Sequence, residues 1–156
     1  MTLHHFAGSG EYTLIVTVPP ESAPEAGGDV EIEIKSGDCF MVSLDPRFFR
    51  VLRIIIEVAV LERELRGKSS GVRSREKIAR LYSNQVGDVA TVDEECITSY
   101  VFKIRKAVKE TLDELVAKGL IAPTPSYPQV IETIRHRGYR LGDIALLYVD
   151  HTRDEA

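Results

Sequence analysis

The chain has 156 residues, 44% of them hydrophobic and 28% charged, with a formal net charge of −4. This length suits one domain with a sizeable core, and the composition excludes a largely disordered or fibrous chain. No apolar run approaches a bilayer span, and Met1 to Phe6 lacks the basic start and apolar stretch of a secretion signal. With the two cysteines, Cys39 and Cys96, far apart and outside any paired motif, a reduced cytoplasmic setting without membrane attachment is expected.

The charge is unevenly spread. From Met1 to Asp45 the single base Lys35 stands against Glu11, Glu21, Glu25, Asp29, Glu31, Glu33, Asp38 and Asp45. From Arg63 to Arg80 the balance reverses, with only Glu64 and Glu76 among Arg63, Arg66, Lys68, Arg73, Arg75, Lys77 and Arg80. One basic face on an otherwise acidic domain has this signature.

In chain order, Tyr12 to Val18 is β-branched and apolar and stops at Pro19-Pro20, which predicts a strand. Glu21 to Asp29 reads as a mobile acidic loop. Val30 to Lys35 alternates strictly, and Ser36-Gly37-Asp38 turns the chain into a strand over Cys39 to Leu44. These make an antiparallel meander covered on one side. Pro46 opens a long buried helix that Gly67 and the loop to Gly71 end. Ser74 caps a short helix through about Tyr82. After the loop Ser83 to Ala90, the capping box Thr91-Val92-Asp93-Glu94 starts a helix with Ile97, Val101, Ile104, Val108, Leu112 and Leu115 on its core side. Gly119 terminates it. A loop from Ala122 to Pro128 leads to a strand over Gln129 to Ile134, the turn Arg135-His136-Arg137-Gly138, and a strand over Tyr139 to Leu141. Leu146 to Val149 is apolar enough to form a last strand or a dimer contact.

Opposite its apolar stripe the third helix carries Ser99, Phe102, Lys103 and Lys106, with Arg105 and Lys109 on the flank. Such a face suits the major groove of DNA, where Lys and Arg meet phosphates and guanine edges; a solvated helix face reads the same way. Arg135, His136 and Arg137 set three donors at a hairpin tip. A basic turn beside a basic helix is the geometry of a wing entering the minor groove, and a hairpin tip with incidental charge is its plain alternative.

Over about residues 30–141 this order of elements resembles the winged-helix DNA-binding domain of OmpR/PhoB-type response regulators. Ile131-Glu132-Thr133-Ile134-Arg135-His136-Arg137-Gly138-Tyr139-Arg140-Leu141 is similar to that family's closing hairpin, and Val101 to Val108 to the core of its recognition helix. The resemblance implies an α+β winged helix-turn-helix with an N-terminal antiparallel β-meander, three helices and a C-terminal hairpin wing. The helix at about 91–118 would lie in the major groove, and the wing at about 129–141 in the minor groove. Lys103, Arg105, Lys106 and Lys109 would meet the major groove, with Ser99 and Phe102 on the same face. Arg135, His136 and Arg137 would meet the minor groove or its phosphates, and Arg73, Arg75 and Lys77 the backbone at the start of the second helix. The loop from Ser83 to Ala90 would be where RNA polymerase is contacted. Some 45 residues before the first helix cannot hold the family's receiver domain, and Phe102 stands where the family carries a small polar residue.

The chain thus divides into an N-terminal strand with its acidic loop (1–29), a winged-helix domain (30–141) and a tail (142–156), all in one compact unit. The expected function is that of a stand-alone, sequence-specific regulator of transcription that binds duplex DNA as a homodimer, since such domains read short half-sites. A winged-helix protein-interaction module, or a DNA-binding subunit of a larger complex, is the alternative. His4, His5, His136, His151, Cys39 and Cys96 lack metal-ligand spacing, and Gly8-Ser9-Gly10 is neither a nucleophile elbow nor a phosphate loop. No enzyme activity, metal or other cofactor is expected.

Overall fold

The computed structural model describes residues 1–20, 27–66, 71–86, 92–124 and 128–152. Most of the acidic loop, Gly67 at the end of the first helix, Thr91 and part of the loop before it therefore lie outside the described residues. So do 125–127 and 153–156.

Alternation builds the larger sheet. β1 (Thr2–Phe6), β2 (Ser9–Val18), β3 (Asp29–Ile34), β4 (Cys39–Val42) and β7 (Ile144–Asp150) form five strands in the order β1-β7-β2-β3-β4. Leu14, Val16 and Val18 of β2 and Val30, Ile32 and Ile34 of β3 face the core, while the residues between them face outward. The turn between β3 and β4 closes at Gly37, whose φ of 93° a side chain would strain.

The meander expected from β2, β3 and β4 is present, with its third strand ending at Val42. The sheet as a whole is mixed. β7 enters between β1 and β2, antiparallel to β1 and parallel to β2, with Leu14 opposite Leu146 and Val16 opposite Tyr148. The apolar run Leu146 to Val149 is thus an interior strand, and β1 is a strand the residue pattern did not reveal.

α1 (Pro46–Arg66) begins where Asp45 accepts the Arg47 amide at 2.8 Å and Pro46 needs no partner for a missing N–H. Phe49, Val51, Leu52, Ile54, Ile55, Ile56 and Ala59 are buried, so the helix is enclosed on most sides. At full burial each such side chain contributes about 1.5–3 kcal/mol. Arg53 Nε donates to Glu57 Oε1 at 2.7 Å, and the same oxygen accepts from the buried Tyr148 hydroxyl at 3.0 Å. This three-residue link binds α1 to β7.

α2 (Arg75–Val86) runs four residues beyond the expected end at Tyr82. Its extra turn carries Gln85, whose Oε1 accepts from the buried Arg50 guanidinium at 3.0 Å. α3 (Glu94–Ala117) buries Ile97, Val101, Ile104, Val108, Leu112 and Leu115, the stripe its spacing predicts. It stops at Gly119, where φ is 71° and the Gly119 and Leu120 amides donate to Val116 and Leu115 at 3.0 and 2.9 Å. β5 (Ile131–Ile134) and β6 (Gly138–Leu141) form a separate antiparallel hairpin. The fold is α+β, with three helices and seven strands among the described residues. No helix among them is long and apolar enough to cross a membrane.

Candidate nucleic-acid interface

Ser74 caps α2 as its position predicts, its Oγ accepting the Lys77 amide at 3.1 Å. At α3 the cap differs from the expectation. Asp93, rather than Thr91, is the N-cap residue, and its carboxylate accepts the Cys96 amide at 2.9 Å. Asp93 is extended while helical geometry starts only at Glu94, so the acceptor nearest the first free amides wins. That hydrogen bond holds the Asp93 carboxyl below its ordinary pKa.

The stripe of α3 that faces the core leaves Ser99, Phe102, Lys103, Lys106 and Lys109 exposed on the other side. Lys106 lies 3.9 Å from Glu110, and Lys109 pairs with Asp113 at 2.8 Å, both one helical turn on. Exposed pairs of this kind are weak and exchange readily for another anion. Phe102 is 60% exposed.

Arg105 departs from the expected groove-facing role. Its guanidinium turns to the hairpin, donating from Nε and Nη2 to the Ile131 carbonyl and from Nη2 to Thr133 Oγ1. It also lies 5.8 Å from the centre of the Tyr139 ring. Burial lowers its pKa from the usual arginine value. Arg73 is committed in a similar way. Its backbone exchanges two hydrogen bonds of 2.9 Å with Tyr139, and its side chain donates to Glu62 at 3.1 Å. The hairpin is therefore held from two directions: by the bridge to Arg73 ahead of α2, and by the Arg105 guanidinium from α3.

The turn of the hairpin remains outward. Arg135, His136 and Arg137 are all exposed, and the Arg137 amide donates to the Ile134 carbonyl at 2.9 Å. His136 has a φ of 64° and Gly138 a φ of 124°. At Gly138 the reason is close approach as well as conformation, because a Cβ there would lie 2.0 Å from the Arg73 carbonyl oxygen.

An open cleft of about 450 Å³ joins these parts, lined by Ser74 and Arg75 from the start of α2, Glu94 and Thr98 from α3, and His136 and Arg137 from the hairpin turn. Arg75 spans the two helices, donating to Thr98 Oγ1 at 2.9 Å and to Glu94 Oε2 at 3.5 Å. Lys77 is exposed one turn from the start of α2. The structure thus brings Arg75, Arg137 and His136 to one cleft, leaves Ser99, Phe102, Lys103, Lys106 and Lys109 on the open face of α3, and turns Arg73 and Arg105 onto protein partners. Thr98 was not singled out from sequence, and Glu94 was read only as part of a capping box. Their spacing of one helical turn was readable, but their partner on another helix was not.

Among the described residues no group of three or more His, Cys, Asp or Glu side chains gathers as metal ligands would. Compared with protein-family models, with curated proteins and with solved structures, the chain matches none.

Proposed function

We propose that the chain is a sequence-specific regulator of transcription that binds duplex DNA in a winged-helix arrangement, as its resemblance to OmpR/PhoB-type effector domains implies. α3 enters the major groove and the β5–β6 hairpin is the wing. The observation that carries this reading is the Arg105 clamp, which fixes the hairpin with Arg135, His136 and Arg137 beside a helix that leaves Lys103 and Lys106 exposed. Two basic elements held rigidly side by side can engage adjacent grooves with little ordering cost. In this reading Lys103, Lys106, Arg135 and Arg137 meet phosphates or base edges, Arg75 and Lys77 approach the backbone at the start of α2, and Arg105 positions the wing.

The test is fluorescence anisotropy with a duplex across a salt series, beside a Lys106→Glu/Arg135→Glu/Arg137→Glu variant. All three side chains are exposed, so the variant should keep the far-ultraviolet circular dichroism spectrum of the wild-type chain. The expected result is binding whose logarithm falls linearly with the logarithm of salt, by about 0.9 per phosphate engaged, and which the variant abolishes. Absence of binding at about 50 mM salt would overturn the reading. A second reading, a protein-interaction module, is favoured by the exposed Phe102 and by the acids Glu110 and Asp113 among the bases of α3. Under it the variant loses a protein partner and any DNA signal stays weak and unchanged.

A further inference from the structure

Among the described residues, helices cover the five-stranded sheet on one side only, as the alternating burial along β2, β3 and β7 records. Ile144, Leu146 and Tyr148 of β7 point to that side and are buried, while Ala145, Leu147 and Val149 alternate to the other. A sheet with one wet face normally alternates apolar with polar residues. β7 does not. From Ile144 to Val149 every residue is apolar or aromatic, as in a strand covered on both faces.

The strand registers extend this strip sideways. Leu3 of β1, 48% exposed, pairs with Val149, and Ile15 of β2 pairs with Leu147. On one flank Glu31 pairs with Ile15; on the other, His5 pairs with Leu147. His4, the neighbour of opposite parity, stacks on Tyr148 at 6.2 Å on the covered side, so His5 belongs to the open one. One row across four strands therefore reads His5, Leu147, Ile15, Glu31.

That row is complementary to its own reversal. The geometry points to a second copy of this chain as the cover, sheet against sheet, about a twofold axis running along the strands between β7 and β2. Leu147 then meets Ile15 of the second copy, and the His5 imidazole faces the Glu31 carboxylate of the second copy, each contact occurring twice. A twofold axis across the strands would set Glu31 and Glu33 against themselves, which like-charge repulsion opposes. Strands about 4.8 Å apart and about six residues long give a face of roughly 500 Å². That is below the roughly 800 Å² per partner of a standard-size complex, which points to a weak, reversible dimer. This inference is independent of the DNA reading.

Sedimentation equilibrium of the full chain from about 1 to 300 μM detects association in the micromolar range. The expected result is a monomer–dimer equilibrium. Leu147→Glu should leave monomer throughout, with an unchanged far-ultraviolet circular dichroism spectrum. His5→Glu should weaken association at least about fivefold, and His5→Glu/Glu31→Lys should restore it. A wild-type chain that stays monomeric over the whole range overturns the proposal and leaves the face to a different partner. So does a dimer that survives Leu147→Glu. The charge-exchange pair decides the matter even where Leu147→Glu unfolds the chain: equal association by its single and double variants rejects the row pairing.

Discussion

Arg105 on α3 holds Ile131 on β5 through two donors, Nε at 2.9 Å and Nη2 at 2.7 Å from one carbonyl oxygen. A flank residue that the family resemblance would send to the major groove is the one that fixes the hairpin to the helix.

Arg105→Ala should therefore destabilise the chain by about 2 kcal/mol in urea unfolding, the scale of hydrogen bonds from a charged donor. Amide exchange should accelerate most over β5 and β6. Under the DNA reading, affinity should fall at every salt concentration with the slope unchanged, because no phosphate contact is removed. A slope reduced by about one would instead assign the guanidinium to phosphate.

Lys103 and Lys109 should behave differently from Arg105 and from each other. Lys103→Gln should lower the salt slope by about one. Lys109→Gln should lower it less, since Asp113 at 2.8 Å already accompanies that ammonium. Anisotropy titrations at three or more salt concentrations separate the three substitutions.

Gly138→Ala should cost roughly 3 kcal/mol or more, combining a strained φ with a Cβ placed against the Arg73 carbonyl. The bridge between Arg73 and Tyr139 would have to open. Urea unfolding measures the loss, and protection of the Tyr139 amide from exchange locates it.

The Tyr148 hydroxyl is held protonated well above the ordinary tyrosine value of 10.0, first by burial and then by the Glu57 carboxylate. A phenol whose pKa is raised on folding contributes stability that is intact below the unfolded value and declines as pH climbs above it. Tyr148→Phe should cost about 1 kcal/mol at neutral pH, the typical worth of one hydrogen bond. Between pH 9 and 11 the wild-type chain should lose stability more steeply than the variant. Parallel slopes in that window would remove Tyr148 from the alkaline transition.

The sequence was legible where a pattern repeats within one element. Alternation in β3 and the stripe of six apolar residues on α3 both appear as read, because burial on one side imposes a period that side chains must follow. Legibility failed where the partner lies far along the chain. Nothing near Arg105 marks Ile131 as its acceptor, and nothing near Arg50 marks Gln85. β1 escaped notice because an edge strand buries little, leaving only Phe6 fully covered. The start of α3 was read as a cap at Thr91, whereas the carboxylate of Asp93, two residues on, takes that place. The basic face of α3 and the turn at Arg135 to Arg137 were visible because exposed charges need no partner to be recognised.

The parallel pairing of β2 with β7 sets the order in which this chain can fold. All three helices and the hairpin intervene between those two strands. As the chain leaves the ribosome, β2, β3 and β4 can pair early and α1 can collapse on them, but the slot between β1 and β2 stays empty until Ile144 to Asp150 has been made. Loss of that last strand would therefore sever β1 from the sheet and expose the edge of β2, a vacancy that another chain's strand could fill. Late closure of β7 therefore ties the risk of strand exchange to the interval before that strand docks.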